Sequence, residues 1–358
     1  MKMRILWFNL ATDADNPTQG FTTTWIRAMA KRADFIHVIT MRAGRIEVPE
    51  NVRVYSVGKE EGYSEPRRAI EFYRHLIHVL RNNRIDVCFS HMIPIFTVLA
   101  APVLRLKRIP IVTWYAHRQV TTTLKLAHYL SDRIITSVET AYRYKHDKLV
   151  VVGQGIDTDL FSPDGTASVN PPLLLSVGRL SPIKDLLTFV RAVHLLRQWG
   201  YDLQAALIGD APERDHLYTE QIKSEVERLG LNSVVQLAGA VTQEQIVNWC
   251  RRCLAHVNLS PTGALDKAAL EAIACGKLSL AANEGFRETM GKQATSLLFR
   301  HGDAEDLTRK IGALLELSAA EREGIGLYLR EQVIQMHNLE RLTDKLVALF
   351  QEVMRDRR

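Results

Sequence analysis

The stretch that decides the fold is residues 259–285, which read LSPTGALDKAALEAIACGKLSLAANEG. A short apolar strand runs into this stretch and ends in a turn at residues 260–263. The apolar spacing then predicts a helix that starts near Leu265 and stops at Cys275-Gly276, because glycine supplies the left-handed residue that ends many helices. A second apolar strand and a second turn follow. This strand–turn–helix–turn–strand unit is typical of an open parallel sheet, whose ligands enter at the carboxyl ends of the strands.

Strands and helices alternate in the same way along the rest of the chain. Apolar runs at residues 3–10 and 173–177 each open a series of strands with amphipathic helices between them. Residues 161–172 are rich in Pro, Ser, Asp and Asn, a composition typical of an interdomain connection. The pattern predicts an α/β protein with two domains, residues 1–163 and 164–339, and a final helix at about 340–358.

Charge is distributed unevenly between these halves. The net charge is +6 over 358 residues, but residues 1–165 hold 23 Lys and Arg against 16 Asp and Glu, which gives +7, and the remainder gives −1. A basic first half indicates an anionic partner, such as a membrane surface, a phosphorylated acceptor or nucleic acid. Ordinary solvated surface is the alternative.

The remaining bulk features indicate a soluble protein in a reducing compartment. Four cysteines are too few for a disulfide framework, and the Cys250-x-x-Cys253 pair lacks the second pair that a zinc site needs. The opening apolar run is too short for a signal peptide. The longest apolar run, residues 92–104, contains two prolines and falls below membrane-spanning length. We therefore expect a cytoplasmic protein, with a peripheral position at the inner face of the membrane left open.

The helix of the opening stretch carries a recognisable motif. Glu271, followed by Ala272, Ala274, Cys275 and Gly276, resembles the donor-sugar site of the family 4 retaining glycosyltransferases of the GT-B type. That family usually has a second Glu eight positions earlier. Gly263 stands there in this chain, and Asp266 is the nearest acid.

Two further segments strengthen the resemblance. The run Gly178-Arg179-Leu180, with Lys184 four positions on, is similar to the family's Gly-Arg-Leu-x-x-x-Lys signature. Residues 209–214, GDAPER, are similar to its Gly-x-Gly-Pro-Glu-Arg turn, with Ala211 at the second Gly. The resemblance implies that Gly209 borders the nucleotide, and an ordinary turn before a helix start is the alternative.

The resemblance implies roles for the charged residues of the second half. Arg179 and Lys184, at a helix amino terminus, would neutralise the diphosphate that leaves with the nucleotide. Glu271 would accept hydrogen bonds from the ribose hydroxyls. The alternatives are two surface cations and a carboxylate that only complements a helix dipole.

Because Gly263 stands where the family has its first Glu, the sequence leaves open which group contacts the donor sugar in place of that acid. Asp266 takes over that role from the first helical turn, or the Gly263 and Ala264 amides alone hold the donor. In the third reading, Asp266 only complements the helix start.

Two residues of the first half also match the family. Gly20 resembles its glycine-rich loop near the donor phosphates, with an ordinary turn glycine as the alternative. His117 resembles the histidine that faces the reacting sugar, with a buried structural histidine as the alternative.

Asp157-Thr158-Asp159 looks like a metal-binding Asp-x-Asp, but it lies in the family's Gly-Ile-Asp-x-x-x-Phe segment, so we interpret it as structural.

The resemblance thus implies two Rossmann-like domains facing a cleft, with the final helix crossing back to the first domain. The expected activity is retaining transfer from a nucleotide diphosphate sugar to a hydroxyl of a glycan or lipid-linked acceptor, without metal or other cofactor. The donor would bind the second domain and the acceptor the basic first domain, with an anionic membrane surface as a further partner and no nucleic acid. Two alternatives stay open: a non-catalytic or regulatory binding protein on the same fold, and a sugar-nucleotide epimerase or phosphorylase.

Overall fold

The structure, a computed structural model, describes residues 3–16, 19–165, 169–261 and 263–357. The chain divides into two compact units. The first comprises Met1–Gly155 with Leu339–Arg358, and the second comprises Ile156–Asn338. Residues 161–165 and 169–172 of the expected connection lie within the second unit, where Arg251 donates to the Ser162 carbonyl and Arg330 to that of Phe161. Residues 166–168 of that connection, and Thr262 of the predicted turn, lie outside the described residues.

The first unit is built on a parallel sheet. Within the described residues its strands are β1 (Arg4–Asn9), β2 (Phe35–Thr40), β3 (Val52–Ser56), β4 (Val87–His91), β5 (Ile111–Trp114), β6 (Arg133–Thr136) and β7 (Leu149–Val151). They lie in the order β3-β2-β1-β4-β5-β6-β7. The connecting helices are α1 (Phe21–Ala30), α2 (Glu65–Asn82), α3 (Pro94–Leu106) and α4 (Thr122–Leu130). Strands β4 and β5 are buried along their whole length, as expected for a parallel sheet covered on both faces.

The second unit repeats this plan with a smaller sheet. Its described strands are β8 (Leu173–Val177), β9 (Gln204–Ile208), β10 (Val235–Gly239), β11 (Ala255–Asn258) and β12 (Leu278–Ala281), in the order β10-β9-β8-β11-β12. Its helices are α5 (Leu186–Gln198), α6 (His216–Arg228), α7 (Gln243–Arg252), α8 (Lys267–Ala274), α9 (Arg287–Met290), α10 (Ala294–Leu297), α11 (Ala304–Glu316) and α12 (Ala319–His337). In both sheets the strand order reverses beside the first strand of the unit.

The last helix, α13 (Leu339–Asp356), packs on the first unit. The Phe350 ring lies 5.5 Å from that of Phe89 on β4. Arg32 forms ion pairs with Glu340 at 2.8 Å and with Asp344 at 2.6 Å. The predicted return of the final helix to the first domain is therefore confirmed.

Two helices begin later than the sequence predicts. The helix of the opening stretch begins at Lys267 rather than near Leu265, because Asp266 is its N-cap and accepts a hydrogen bond from the Ala268 amide at 3.0 Å. The helix whose amino terminus was expected to hold Lys184 begins at Leu186. Asp185 has a left-handed backbone, with φ of +44°, and separates α5 from a short 3₁₀ turn, Pro182–Lys184. Lys184 therefore lies before the helix.

Candidate active site

The loops after β8, β9 and β11 meet at one edge of the second sheet. The strands are parallel, and their registers pair Val177 with Ile208 and His256 with Leu175. Strand order reverses between β8 and β11, which is where open α/β sheets bind ligands. The donor-binding residues predicted in the second half lie in these loops or on the helix that follows.

Two glycines bring the ends of β8 and β9 into backbone contact. Gly178 and Gly209 have φ values of +145° and +130°, which strongly favour glycine. A Cβ on Gly209 would lie 2.2 Å from the Gly178 carbonyl oxygen. The two loops are also joined by a hydrogen bond from the Leu180 amide to the Asp210 carbonyl at 3.0 Å. A side chain at position 209 would force these loops apart.

Lys184 lies across the end of β8. A Cβ on Gly178 would approach the Cε and Nζ atoms of Lys184 to 2.9 and 3.0 Å, so glycine there makes room for the lysine stem. The ammonium forms an ion pair with Asp266 from the loop after β11. Side-chain exposures of 19% for Lys184 and 13% for Asp266 show that the pair is largely removed from water. The structure therefore brings together Gly178, Lys184 and Asp266.

Both carboxylate oxygens of Asp266 have protein donors. Oδ1 accepts from the Ala268 amide at the start of α8, and Oδ2 accepts from Lys184 Nζ. Burial alone would raise the pKa of the Asp266 carboxyl. The Lys184 ammonium and the helix amide lower that pKa by more, so the net pKa lies below its usual range. Asp266 is therefore ionised at neutral pH, and its helix-capping contact is present in this structure.

Arg179 differs from Lys184 in its surroundings. It follows Gly178 directly and is exposed at the same strand edge. Among the described residues it has no ion-pair partner. It is therefore a cation at the strand edge that a ligand could reach without breaking a protein contact.

Glu271 lies in the second turn of α8 and is only partly exposed. Burial raises the pKa of its carboxyl to about 7, although the Lys267 ammonium one turn earlier opposes that shift. Burial also lowers the pKa of Lys267. A carboxyl group that titrates near neutral pH at a ligand edge is a functional-site candidate.

Gly263 is buried in the loop between β11 and α8, with φ of +112°. A Cβ at this position would meet no atom within 4 Å, so backbone conformation rather than packing favours glycine here.

His256 on β11 was missed by sequence reasoning. Its side chain is 1% exposed, and burial lowers its pKa to about 4, so the ring is neutral at pH 7. Nδ1 lies 3.4 Å from the Ser279 hydroxyl, while Nε2 has no hydrogen-bond partner in the part of the chain described. The charges of Asp266 and Lys184 both influence the pKa of His256, so this histidine lies near the Lys184–Asp266 ion pair. The available signal was a histidine between two apolar residues, Ala255 and Val257, of a predicted strand.

The two site residues predicted in the first half lie in the first unit, after β1 and β5. Gly20 precedes α1, and a Cβ there would lie 2.8 Å from the Asn16 carbonyl oxygen, so close packing of the turn requires glycine. His117 is exposed, which excludes the buried structural histidine. Its Nδ1 accepts from the Gln119 amide at 3.2 Å, so the neutral ring carries its proton on Nε2.

The side chain of Asp157 stabilises a local turn. Its Oδ1 accepts from the amides of Asp159 at 3.2 Å and of Leu160 at 3.0 Å, which closes a turn. No group of three or more His, Cys, Asp or Glu side chains suited to a metal ion occurs among the described residues. Cys250 and Cys253 are both buried and have free thiols.

The second unit can be compared with known families. Residues 171–317 match the model of the family described as glycosyl transferases group 1. This stretch is a group 1 glycosyltransferase domain. It contains all the second-half site residues discussed above.

Curated relatives match part of the chain. The D-inositol 3-phosphate glycosyltransferases of Streptomyces scabiei and Streptomyces avermitilis are each 30% identical to it, over 175 and 157 residues. These matches cover 43% and 40% of this chain but only 39% and 34% of the relatives. The chain thus matches well under half the length of these relatives.

Solved structures are similar over nearly the whole chain. Sucrose-phosphate synthase from Thermosynechococcus elongatus has a TM-score of 0.81 at 19% identity and covers 99% of this chain and 100% of its own. Anabaena HepE in complex with UDP has a TM-score of 0.77 at 15% identity and covers 98% and 100%. At such identities the likeness concerns the fold, and it confirms the predicted class of two parallel α/β units of the GT-B type.

No helix in the described parts of the chain has both the length and the apolar character needed to cross a membrane.

Proposed function

We propose that this protein is a retaining, metal-independent family 4 glycosyltransferase, which moves a sugar from a nucleotide diphosphate sugar to a hydroxyl of a glycan or lipid-linked acceptor. The observation that carries the proposal is the group 1 glycosyltransferase domain, whose strand edge holds two cations beside close-packed glycines. The UDP complex of the HepE neighbour supports a nucleoside diphosphate as the leaving group.

Charge neutralisation explains how the reaction proceeds without a metal ion. The diphosphate of the donor already carries two negative charges and gains one more as its bond to the sugar breaks, and cations positioned where charge develops lower the barrier. Arg179 is exposed at the end of β8, and Lys184 crosses the same strand end. Together they replace the divalent ion that other sugar transferases use, and Asp157 remains a turn residue.

Retention follows if the acceptor hydroxyl enters on the face that the diphosphate leaves. The bond between the anomeric carbon and the diphosphate oxygen breaks, and the acceptor oxygen forms the new bond to that carbon. The acceptor proton passes to a diphosphate oxygen. The transition state is oxocarbenium-like, so the protein's task is to position the donor and stabilise the departing charge.

Three further residues have assigned roles in this proposal. Glu271 accepts hydrogen bonds from the ribose hydroxyls, and its ionised form is the stronger acceptor. His117 donates from Nε2 to the transferred sugar, a role for which the Gln119 amide fixes the ring tautomer. Gly20 keeps its turn compact near the donor phosphates.

The first unit offers a surface suited to a lipid-linked acceptor. Arg105, at the end of α3, donates to the Tyr129 carbonyl on α4 at 3.0 Å, so the two helices share a face. Leu106, the last residue of α3, is 86% exposed, and Leu126 and Tyr129 on α4 are 49% and 52% exposed. Lys107, Arg108 and Lys125, which are also exposed, lie beside these leucines along the chain. Cations around exposed apolar residues suit an anionic membrane surface, and a peripheral position at that surface follows.

The first test is a thermal-shift screen against UDP, GDP and their sugar conjugates, because a ligand that binds only the native state raises its stability. Transfer is then measured with the donor that binds, with and without EDTA. We expect Arg179→Ala to lower turnover by roughly 10²–10³-fold, the usual loss for one charge-stabilising donor. Arg228→Ala removes an exposed arginine from the end of α6 and is the matched control.

The outcomes separate the remaining interpretations. Full dependence on Mg²⁺ or Mn²⁺ would refute the metal-free mechanism. Donor binding without transfer would favour a regulatory binding protein. Epimerisation of the donor sugar would favour an epimerase, and transfer of the sugar to inorganic phosphate would favour a phosphorylase. Absence of any nucleotide binding would overturn the proposal.

A further inference from the structure

The carboxylate of Asp266 is bound by the kinds of hydrogen-bond donor that commonly bind a phosphate oxygen. One of its oxygens accepts from a free amide at the start of α8, and the other from the Lys184 ammonium. Helix amino termini and lysines are the protein groups that commonly bind phosphate. In this structure these donors are occupied by a side chain of the same unit.

The location of the ion pair connects it to the nucleotide edge. Lys184 Nζ lies 3.0 Å from the point where a Cβ of Gly178 would be, so the ammonium lies at the end of β8. Asp266 reaches it from a position 82 residues further along the chain, in the loop after β11. Both residues are largely removed from water. The neutral His256 nearby adds no charge, so the Asp266 carboxylate is the counter-ion of Lys184 in the described site.

We propose that Asp266 is an internal anion that competes with the diphosphate of the donor for Lys184, and thereby weakens nucleotide affinity. This inference rests on the proposed function. In the free protein, Asp266 balances Lys184 and caps α8. When the diphosphate binds, Lys184 exchanges the carboxylate for a phosphate oxygen, and after transfer the carboxylate recovers Lys184 and favours release of the nucleoside diphosphate.

If Asp266 competes for Lys184, removing its charge should raise the affinity for the nucleoside diphosphate. If Asp266 instead contacts the sugar, removing its charge should not raise that affinity. Asparagine caps helices as well as aspartate does, so Asp266→Asn retains the bond from the Ala268 amide and removes the charge. Lys184 is then available to phosphate without first leaving a carboxylate, and the negative charge next to the diphosphate is gone. We expect affinity for the nucleoside diphosphate to rise about tenfold, which corresponds to about 1.4 kcal/mol.

The experiment is isothermal titration of UDP and of GDP into the full-length protein and four variants: Asp266→Asn, Lys184→Met, the double variant and Asp303→Asn. Asp303 caps α11 by accepting from the Asp306 amide at 2.8 Å and pairs with Arg300 at 2.6 Å, so it matches Asp266 in chemistry but lies on another helix. We expect tighter binding in Asp266→Asn, no such gain when Lys184 is already Met, and wild-type affinity in Asp303→Asn. Asp266→Ser, which also retains the cap, is used if the asparagine variant does not fold.

Each other outcome has a definite meaning. Weaker diphosphate binding by Asp266→Asn would show that the carboxylate positions Lys184, and would overturn the inference. Unchanged diphosphate binding together with weaker binding of the nucleotide sugar would assign Asp266 to the sugar, and would also overturn it. If the wild-type protein and every variant bind neither nucleotides nor nucleotide sugars, the proposed function itself fails.

Discussion

The contact between the loops after β8 and β9 predicts a large effect of adding one methyl group. In Gly209→Ala the new Cβ would lie 2.2 Å from the Gly178 carbonyl oxygen, which is a backbone atom and cannot rotate away. The residue would also have to keep a φ of +130°. In Gly178→Ala the nearest atom is Cε of the Lys184 side chain, at 2.9 Å, which can move. Gly263→Ala meets no atom within 4 Å and carries only the backbone strain.

The expected losses of unfolding free energy follow from these two terms. A non-glycine residue with positive φ costs about 1–2 kcal/mol. Forcing a methyl group into a closed contact adds about 1–3 kcal/mol. We therefore expect about 1–2 kcal/mol for Gly263→Ala, slightly more for Gly178→Ala, and about 2–5 kcal/mol for Gly209→Ala. The last value is a substantial part of the stability of about 5–15 kcal/mol that is usual for a protein.

Urea-induced unfolding, followed by circular dichroism, measures the differences through the shift of the midpoint at an unchanged slope. Gly230→Ala is the control away from the site, because Gly230 also has a positive φ, +68°, and open space around its Cβ position. UDP or GDP affinity is measured in parallel. Gly178→Ala should weaken it by displacing Lys184, whereas Gly230→Ala should not. If Gly209→Ala unfolds at the same urea concentration as Gly230→Ala, the backbone contact between the two loops is not present in solution.

Two further predictions concern Glu271 and the exposed face of α3 and α4. Burial raises the Glu271 pKa to about 7, so we expect the donor KM to fall as pH rises through that value, and Glu271→Gln to abolish this dependence. The folded protein favours the protonated form, so the wild type should lose stability relative to Glu271→Gln as pH rises from about 4.5 to about 7, with no further loss above that, and an increase over this range would contradict the assignment. On the first unit, anionic vesicles should retain the protein better than neutral ones, and retention should weaken as salt rises. Leu106→Ser should reduce retention while Leu217→Ser, at an equally exposed leucine of the second unit, should not; equal retention on neutral and anionic vesicles would exclude the membrane surface.

Much of the fold could be predicted because it depends on local patterns. Buried parallel strands are nearly continuous apolar runs, and β8 was predicted with its observed bounds, Leu173–Val177. Connections in such sheets follow known rules, so alternation of strands and helices was enough to predict two parallel sheets. The positions of Gly178 and Gly209 at strand ends followed directly, because residues after parallel strands meet at the same edge.

The details of the site could not be predicted, because they depend on contacts between distant residues. The pairing of Lys184 with Asp266 joins residues 82 positions apart, and nothing in either local sequence specifies it. The left-handed Asp185 moved the start of α5 beyond Lys184. The neutral state of His256 likewise results from burial in the folded sheet, and a single-sequence pattern does not reveal how fully a strand residue is enclosed.

The replacement of the family's first acid by Gly263 and the capping role of Asp266 are consistent with one another. A Glu at position 263 would have to adopt a φ of +112°, a backbone conformation that is unfavourable for residues other than glycine. The chain instead carries its carboxylate three residues later, at the N-cap of α8, where helix amides stabilise a negative charge. From there the carboxylate meets Lys184. A carboxylate held in this way has its oxygens committed to protein donors, whereas one carried by a flexible loop would be available to a sugar hydroxyl. If Asp266 competes with the donor for Lys184 as proposed, the position of the acid along the chain determines which part of the donor it affects, namely the diphosphate.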